Sequence, residues 1–150
     1  MIPVIAIIAT TVVGLMVGVE FAGAFVLNPI FASLPADAAQ AARTHGGRML
    51  GRLMPFWYVA SLILTIALVV LTWGSTSAAA ALVAAVLLAV SVIISVAVLV
   101  PINNRSLTWT AENRPDNWLE QQKRWDRLHY VRVAIIVAAF VLVAVAVTLR

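Results

Sequence analysis

Glu20 is the only ionisable residue in the long apolar run that opens the chain, from Ile2 to about Leu27. A carboxylate inside a membrane-length apolar run is costly and is by default a functional residue. It can serve as a general base or as the partner of a buried cation. The alternative is a purely structural Glu–Arg pair that fixes the register of two helices.

A second set of chemically capable residues lies near the start of the last apolar run. Trp125, His129 and Arg132 are spaced by four and three residues, which places them on one side of an α-helix. Imidazole is a general acid or base near neutral pH, and Asp126, one turn earlier, is the candidate for orienting it. A belt of tryptophans at the lipid headgroups is the alternative explanation of part of this pattern.

Glu20, His45 and His129 together have the side chains of a two-histidine, one-carboxylate metal site. His45 and His129 are the only histidines, and they do not share a helix at ligand spacing. A copper or iron ion held by these three residues is one alternative, and the absence of a bound cofactor is the other. The chain has no cysteine, which excludes thiolate catalysis and cysteine-ligated metal sites.

Hydrogen-bond donors and aromatic surface are also available near these residues. Asn103 follows Pro101 at the end of the third apolar run, so it either caps that helix or reaches back into a cavity as an amide donor. Trp109, Trp125 and Phe56 supply rings that can stack on a flat ligand. We therefore expect them to line a hydrophobic binding site.

The elements that position these residues must be membrane-spanning helices. Of the 150 residues, 63% are hydrophobic and 11% are charged, whereas a soluble domain carries about 25% charged residues. Four continuous apolar runs reach the length of about 20 residues that a span requires. The sequence predicts one all-α domain over residues 1–150, a four-helix bundle with spans at about 2–27, 55–73, 78–100 and 131–149.

Charge predicts the orientation of these spans. The two long connections, Asn28–Met54 and Pro101–Tyr130, fall on the same side and, with the start of the last span, hold nine of the ten basic residues, leaving only Arg150 opposite. The positive-inside rule puts the long loops in the cytoplasm and both termini outside the cell membrane. The net charge of +4 then marks the cytoplasmic face rather than a nucleic-acid partner. The Gly14-x-x-x-Gly18 motif favours close helix packing and is the candidate contact of a homo-oligomer.

Local signals predict the shapes of the connections. A capping-box pattern from Asp37 predicts a short helix over about 38–45, ended by Gly46 and Gly47. Pro55 then opens the second span, and Pro101 ends the third. A second pattern that resembles a capping box begins at Asn117 and predicts a fourth helix of about 32 residues that projects beyond the bilayer.

Three sequence motifs together resemble the anthrone-oxygenase-like family of small membrane proteins, which was first catalogued as a domain of unknown function. They are Met54-Pro55, the run from Val100 to Asn104, and the run Trp125-Asp126-Arg127-Leu128-His129-Tyr130-Val131-Arg132. The resemblance covers essentially the whole chain. The motif positions of the family correspond to Asn103, Trp125, His129 and Arg132. Glu20 and His45 are not carried over from the family, and they are candidates only because of their own chemistry and position in the sequence.

The resemblance implies a membrane oxygenase that oxidises a hydrophobic, often polycyclic aromatic metabolite with O₂ in natural-product biosynthesis. Members of the family are generally described without flavin or haem. In such an enzyme Glu20 or His129 would remove a proton, and Arg132 and Asn103 would stabilise the resulting oxyanion. The alternative is a non-enzymatic membrane protein, either a small transporter coupled to protons through Glu20 or an assembly factor. The nine-to-one charge bias and the long loops disfavour the transporter.

Overall fold

The structure is a computed structural model that describes residues 2–149. Its four long helices are α1 (Ile2–Ser33), α2 (Ala36–Leu71), α3 (Thr76–Ser106) and α4 (Trp118–Thr148), and each is long and apolar enough to cross a membrane. No β-strand occurs in this part of the chain. The predicted all-α, four-helix architecture is confirmed, and it fits a multi-pass membrane protein.

The helices form an up-and-down ring in which each packs on its chain neighbours and α4 closes against α1. The α2–α3 turn is tight and depends on Gly74, whose φ of 82° lies in the left-handed region that favours glycine. We call this end of the bundle the apolar end. At the opposite end, the basic end, α1 and α3 finish and α2 and α4 begin. The cationic side chains there are Arg43, Arg48, Arg52, Arg105, Arg114, Lys123, Arg124 and Arg127.

The helices extend further at the basic end than the apolar runs predict. The α2 helix has 36 residues, about 54 Å at 1.5 Å per residue, against a hydrocarbon thickness of about 30 Å. The first long connection is therefore mostly helix. Gly46 and Gly47 do not end a short helix, and Pro55 lies inside α2 rather than opening it. Membrane helices tolerate proline because neighbouring groups satisfy the backbone that it frees.

Two wide, π-helical turns interrupt α1 at Gly23–Leu27 and α3 at Ser95–Leu99. Each precedes a proline, Pro29 in α1 and Pro101 in α3. A proline clashes with the carbonyl four residues earlier, and in both helices that carbonyl belongs to the wide turn, where the hydrogen bonds run to the fifth residue. For this reason Pro101 does not end α3, as the sequence predicted, and the helix continues to Ser106.

The apolar end is closed by small side chains. Ala6, Ala9, Ala81 and Ala84 are fully buried in one cluster, where small residues let helices approach closely. The predicted GxxxG face is only partly used within the chain. A Cβ on Gly14 would lie 3.0 Å from the Phe140 ring, whereas Gly18 has nothing within 4 Å of such a Cβ.

Candidate functional site

A buried ion pair joins α1 to α4 at the level of the wide turns. The Arg132 Nη2 lies 2.5 Å from Glu20 Oε2, and Nη1 donates to Ser95 Oγ of α3 at 2.9 Å. Glu20 is 5% exposed and Arg132 8% exposed. Since breaking such a pair leaves an uncompensated buried charge, Arg132 fixes the position of the carboxylate and holds three helices together.

His129 completes this cluster in a defined tautomer. Its Nδ1 lies 3.1 Å from Arg132 Nη2, and because a guanidinium can only donate, Nδ1 is the acceptor. Its Nε2 lies 3.3 Å from the main-chain oxygen of Glu20 and 3.5 Å from Glu20 Oε2, so Nε2 carries the hydrogen. The Trp125 ring stacks on the imidazole at 4.8 Å. Both ring nitrogens of His129 are therefore engaged within the protein, and the ring cannot accept a further proton without losing the Arg132 contact.

Tyr58 of α2 forms another wall of the cluster. The Arg132 guanidinium lies over its ring at 5.3 Å. The Tyr58 hydroxyl is buried close to Glu20 and Ser91, but it has no hydrogen-bond partner of good geometry, and the Nε of Arg132 is likewise buried without one. Buried polar groups are normally satisfied. Both groups could therefore donate to a polar atom of a ligand beside the Glu20 carboxylate.

A cavity of about 320 Å³ opens from this cluster toward the basic end. Its volume lies at the lower end of the range typical of small-molecule sites, and its walls are mostly apolar, as such sites require. All four helices contribute to it. Of the residues predicted to act together, it contains Glu20, Asn103, Trp109, Trp125, His129 and Arg132.

The cavity has a second polar level, further toward the basic end. Asn28 lies eight residues after Glu20 on α1, and Asn103 lies eight residues after Ser95 on α3. Eight residues correspond to about 12 Å of α-helix. Asn103 therefore shares the cavity with Arg132 but lies at its other end, and the two side chains do not converge on one oxyanion as the sequence analysis expected.

One side of the cavity is open between α2 and α3. Its lining there includes residues that are also exposed on the outside of the bundle, Pro55 and Val59 on α2 and Val96 and Val100 on α3. Val96 is 65% exposed and Val59 is 52% exposed. In a membrane this apolar opening faces the lipid chains, so a lipophilic molecule can reach the cavity without crossing the polar end of the bundle.

Polar contacts close the basic end above the cavity. Gln40 of α2 donates to the main-chain oxygen of Ser106 and accepts from Gln122 of α4, both at 3.0 Å. Arg43 makes two hydrogen bonds to the Asp126 carboxylate, at 2.8 and 3.0 Å. The predicted role of Asp126 in orienting His129 is therefore wrong, because both oxygens of its carboxylate are directed to Arg43 on a different helix.

Two further predicted site residues lie outside the cavity. Phe56 is 77% exposed, because Met54 and Tyr58, one turn apart, face inward and the residue midway between them must face outward. His45 is exposed and lines a separate cleft near Thr108. No three His, Asp or Glu side chains between residues 2 and 149 cluster as metal ligands, so the predicted site of Glu20, His45 and His129 is not formed.

Three site residues were not identified from the sequence: Tyr58, Ser95 and Asn28. Tyr58 had a usable signal, since it begins a buried polar stripe with Ser61 and Thr65 along an otherwise apolar span, at helical spacing. Ser95 had a similar signal, since it follows the buried Leu88 and Ser91 at helical spacing. Asn28 had none, because the wide turn before it cannot be read from a regular period of 3.6 residues.

A family model matches part of α2, all of α3 and most of α4, but not α1, which carries Glu20 and Asn28. Residues 48–142 match the model of the anthrone oxygenase family. The chain belongs to the anthrone oxygenase family. The matched segment contains Tyr58, Ser95, Asn103, His129 and Arg132, and it ends before the last turns of α4. No match was found among curated proteins or among solved structures.

Proposed function

We propose that this protein is a membrane oxygenase that converts a methylene group of a flat, apolar, oxygen-bearing aromatic molecule to a carbonyl group with O₂. Anthrone, named in the family description, is the simplest such molecule. The observation that carries the proposal is the buried Glu20–Arg132–His129 cluster at the inner end of an apolar cavity.

The reaction balances without an external reductant. One C–H proton leaves the methylene carbon, and the carbanion that remains is delocalised onto the carbonyl oxygen. That carbanion supplies the electrons that reduce O₂, and a C–O bond forms to give a hydroperoxide. Loss of water from the hydroperoxide breaks the O–O bond and the second C–H bond. The carbon is oxidised to a carbonyl, one oxygen atom enters the product and the other leaves as water.

We assign different roles to the side chains. Glu20 is the base, because its carboxylate lies at the inner end of the cavity while both nitrogens of His129 are already engaged. The unpaired Arg132 Nε and Tyr58 hydroxyl are the donors for the oxygen on which negative charge develops, which is where such donors lower a barrier most. His129 and Trp125 act as positioning residues that hold the ion pair.

The same contacts argue against the transporter alternative. A carboxylate that carries protons across a membrane must alternate between charged and neutral forms as it changes sides. Glu20 is held by Arg132 and His129 and is only 5% exposed, so these contacts fix its carboxylate at one place in the bundle. An enzyme that needs a base of defined position fits these contacts better.

We also propose that the basic end lies in the cytoplasm, with both termini outside. The eight cations of that end support this orientation through the positive-inside rule. A C-terminal fusion to a reporter that is active only in the cytoplasm should give no signal, whereas the same reporter inserted between Thr110 and Glu112, in the α3–α4 connection, should be active. The opposite pattern would overturn the orientation.

The function is tested with purified protein in lipid nanodiscs supplied with anthrone and ¹⁸O₂. The wild-type protein should consume O₂ faster than protein-free nanodiscs and incorporate one ¹⁸O atom into anthraquinone. Glu20→Gln should lower this rate at least about 100-fold, the range expected for loss of a general base. Glu120→Gln, an exposed residue outside the cavity, is the matched control and should retain the wild-type rate.

Two results would contradict the proposal. Wild-type protein that gives no rate above the protein-free background, with anthrone or with hydroxylated anthrones, would remove the oxygenase function. A folded Glu20→Gln variant with full activity would leave the reaction in place but remove Glu20 as its base.

A further inference from the structure

Asn28 is a buried amide that no contact within the protein explains. It is 8% exposed, it lines the cavity, and its Nδ2 is buried without a hydrogen-bond partner. The amide carries two N–H donors, and leaving a buried donor unpaired costs about 1–3 kcal/mol. A side chain that served only helix packing would not need this amide.

The wide turn of α1 is what directs Asn28 into the cavity. At 100° per residue, the eight residues from Glu20 to Asn28 would leave the two side chains about 80° apart around a regular helix. The π-helical turn at Gly23–Leu27 takes up one more residue than an α-helical turn, which removes most of that offset. Both residues are buried and line the same cavity, as this alignment requires.

The contacts between α1 and α4 place Asn28 in the same part of the cavity as Trp125. Glu20 contacts His129, and the Tyr130 hydroxyl donates to the main-chain oxygen of Ala24 at 2.8 Å. Because these helices run antiparallel, the eight residues from Glu20 to Asn28 lead back from His129 to about residue 121, and the four residues from Ala24 to Asn28 lead back from Tyr130 to about residue 126. Trp125 lies within this stretch and its Nε1 is also buried without a partner, so two unpaired N–H groups lie in this part of the cavity.

We propose that Asn28 is a specificity residue, which binds a second oxygen atom of the ligand at the far end of the cavity from the reacting carbon. This rests on the proposed function, since it takes the Glu20 carboxylate as the point where the reacting carbon is held. The axial separation of Glu20 and Asn28 is about 12 Å. Subtracting a contact of about 3 Å at each end leaves about 6 Å between the reacting carbon and the second oxygen.

This length selects a class of ligand. A hydroxyl or carbonyl oxygen about 6 Å from the reacting carbon lies across one outer ring of a fused three-ring system, on the edge remote from the central ring. The preferred ligand is therefore a fused-ring aromatic with an oxygen substituent on that edge, and an unsubstituted ring system binds less tightly because the Asn28 and Trp125 donors stay unpaired.

Binding of two product-like quinones tests the inference without turnover. The probes are 9,10-anthraquinone and 2-hydroxyanthraquinone, titrated into nanodisc-embedded protein and followed by quenching of tryptophan fluorescence, at a mildly acidic pH that keeps the hydroxyl protonated. The wild-type protein should bind the hydroxylated quinone about five-fold more tightly, the value of one neutral hydrogen bond. Asn28→Leu should bind both quinones equally, with unchanged affinity for anthraquinone.

Matched variants separate a lost hydrogen bond from a damaged fold. Asn104→Leu, an exposed asparagine outside the cavity on α3, should keep the five-fold preference. Asn28→Ser retains a donor and should keep part of the preference if Asn28→Leu does not fold. An unchanged preference in a folded Asn28→Leu or its complete loss in a folded Asn28→Ser overturns this inference alone. Wild-type protein that binds neither quinone overturns both it and the proposed function.

Discussion

The same four helices pack closely at one end of the bundle and leave a cavity toward the other end. At the apolar end, fully buried alanines bring the helix backbones together and leave no room for a ligand. Toward the basic end, the wide turns of α1 and α3 and the prolines after them interrupt regular packing, and a cavity of about 320 Å³ takes its place. The contrast shows that small buried side chains allow close helix packing, whereas interruptions of the regular helical backbone leave room for a cavity.

Polarity differs between the two ends in the same way. Threonine hydroxyls in the apolar half bond within their own helix, as when Thr65 donates to the main-chain oxygen of Ser61 at 2.8 Å. Around the cavity the polar contacts join different helices, as Arg132 does with Glu20 and Ser95. Stability in the apolar half should therefore depend on the volume of the buried side chains, and stability around the cavity should depend on the pairing of the buried charges.

Removal of the buried cation should have the largest effect. Arg132→Met leaves the Glu20 carboxylate buried without its cation, and we expect a loss of about 3–5 kcal/mol of stability, measured by unfolding in detergent. The double variant Glu20→Gln/Arg132→Met should recover most of that loss while remaining inactive. If the double variant were as unstable as Arg132→Met alone, the uncompensated charge would not be the cause.

Enlargement of a side chain in the apolar half should have an intermediate effect. Ala84 is fully buried against the neighbouring helices, so Ala84→Leu has no space to occupy. We expect a loss of about 1–3 kcal/mol, again measured by unfolding in detergent. Retention of full stability would show that the apolar half is less tightly packed than the structure indicates.

The same kind of enlargement at the opening of the cavity should leave stability nearly unchanged. Val96→Phe adds volume at a residue that is 65% exposed, where surface substitutions change stability by about 0.5 kcal/mol or less. It should instead raise KM for anthrone several-fold with little change in kcat, because it narrows the opening between α2 and α3. Val86→Phe, exposed on the same helix outside the cavity, is the control, and an equal rise in KM there would remove the opening as the route of access.

Hydropathy was sufficient to predict the number of helices and the tight α2–α3 turn, because a continuous apolar run of about 20 residues has few alternatives in a membrane. The spacing of Trp125, His129 and Arg132 was sufficient to predict that they share a face, and the cost of burying Arg132 correctly indicated its pair with Glu20. These predictions depend on local periodicity and on charge, which the sequence displays directly. The orientation of the bundle in the membrane remains a prediction.

The rest of the site depends on interactions between helices that are distant in sequence. Phe56 was predicted to stack on a ligand because it is aromatic, but the inward direction of Met54 and Tyr58 leaves it on the lipid-facing side. Asp126 was assigned to His129 because the two are three residues apart, yet Arg43 of α2 holds it. Pro101 was taken as a helix end because proline usually is one, and only the wide turn before it allows α3 to continue.

Each wide turn contains one residue more than a regular α-helical turn. A deletion of one residue from Gly23–Leu27 would therefore leave a regular α-helix, and seven residues at 100° each would still place Asn28 within about 20° of Glu20. The corresponding deletion from Ser95–Leu99, if it spared Ser95, would keep Asn103 aligned with Ser95 in the same way. Single-residue deletions, which are usually harmful inside a membrane helix, should therefore be tolerated at these two turns, with both polar levels of the cavity kept on the same side of their helices.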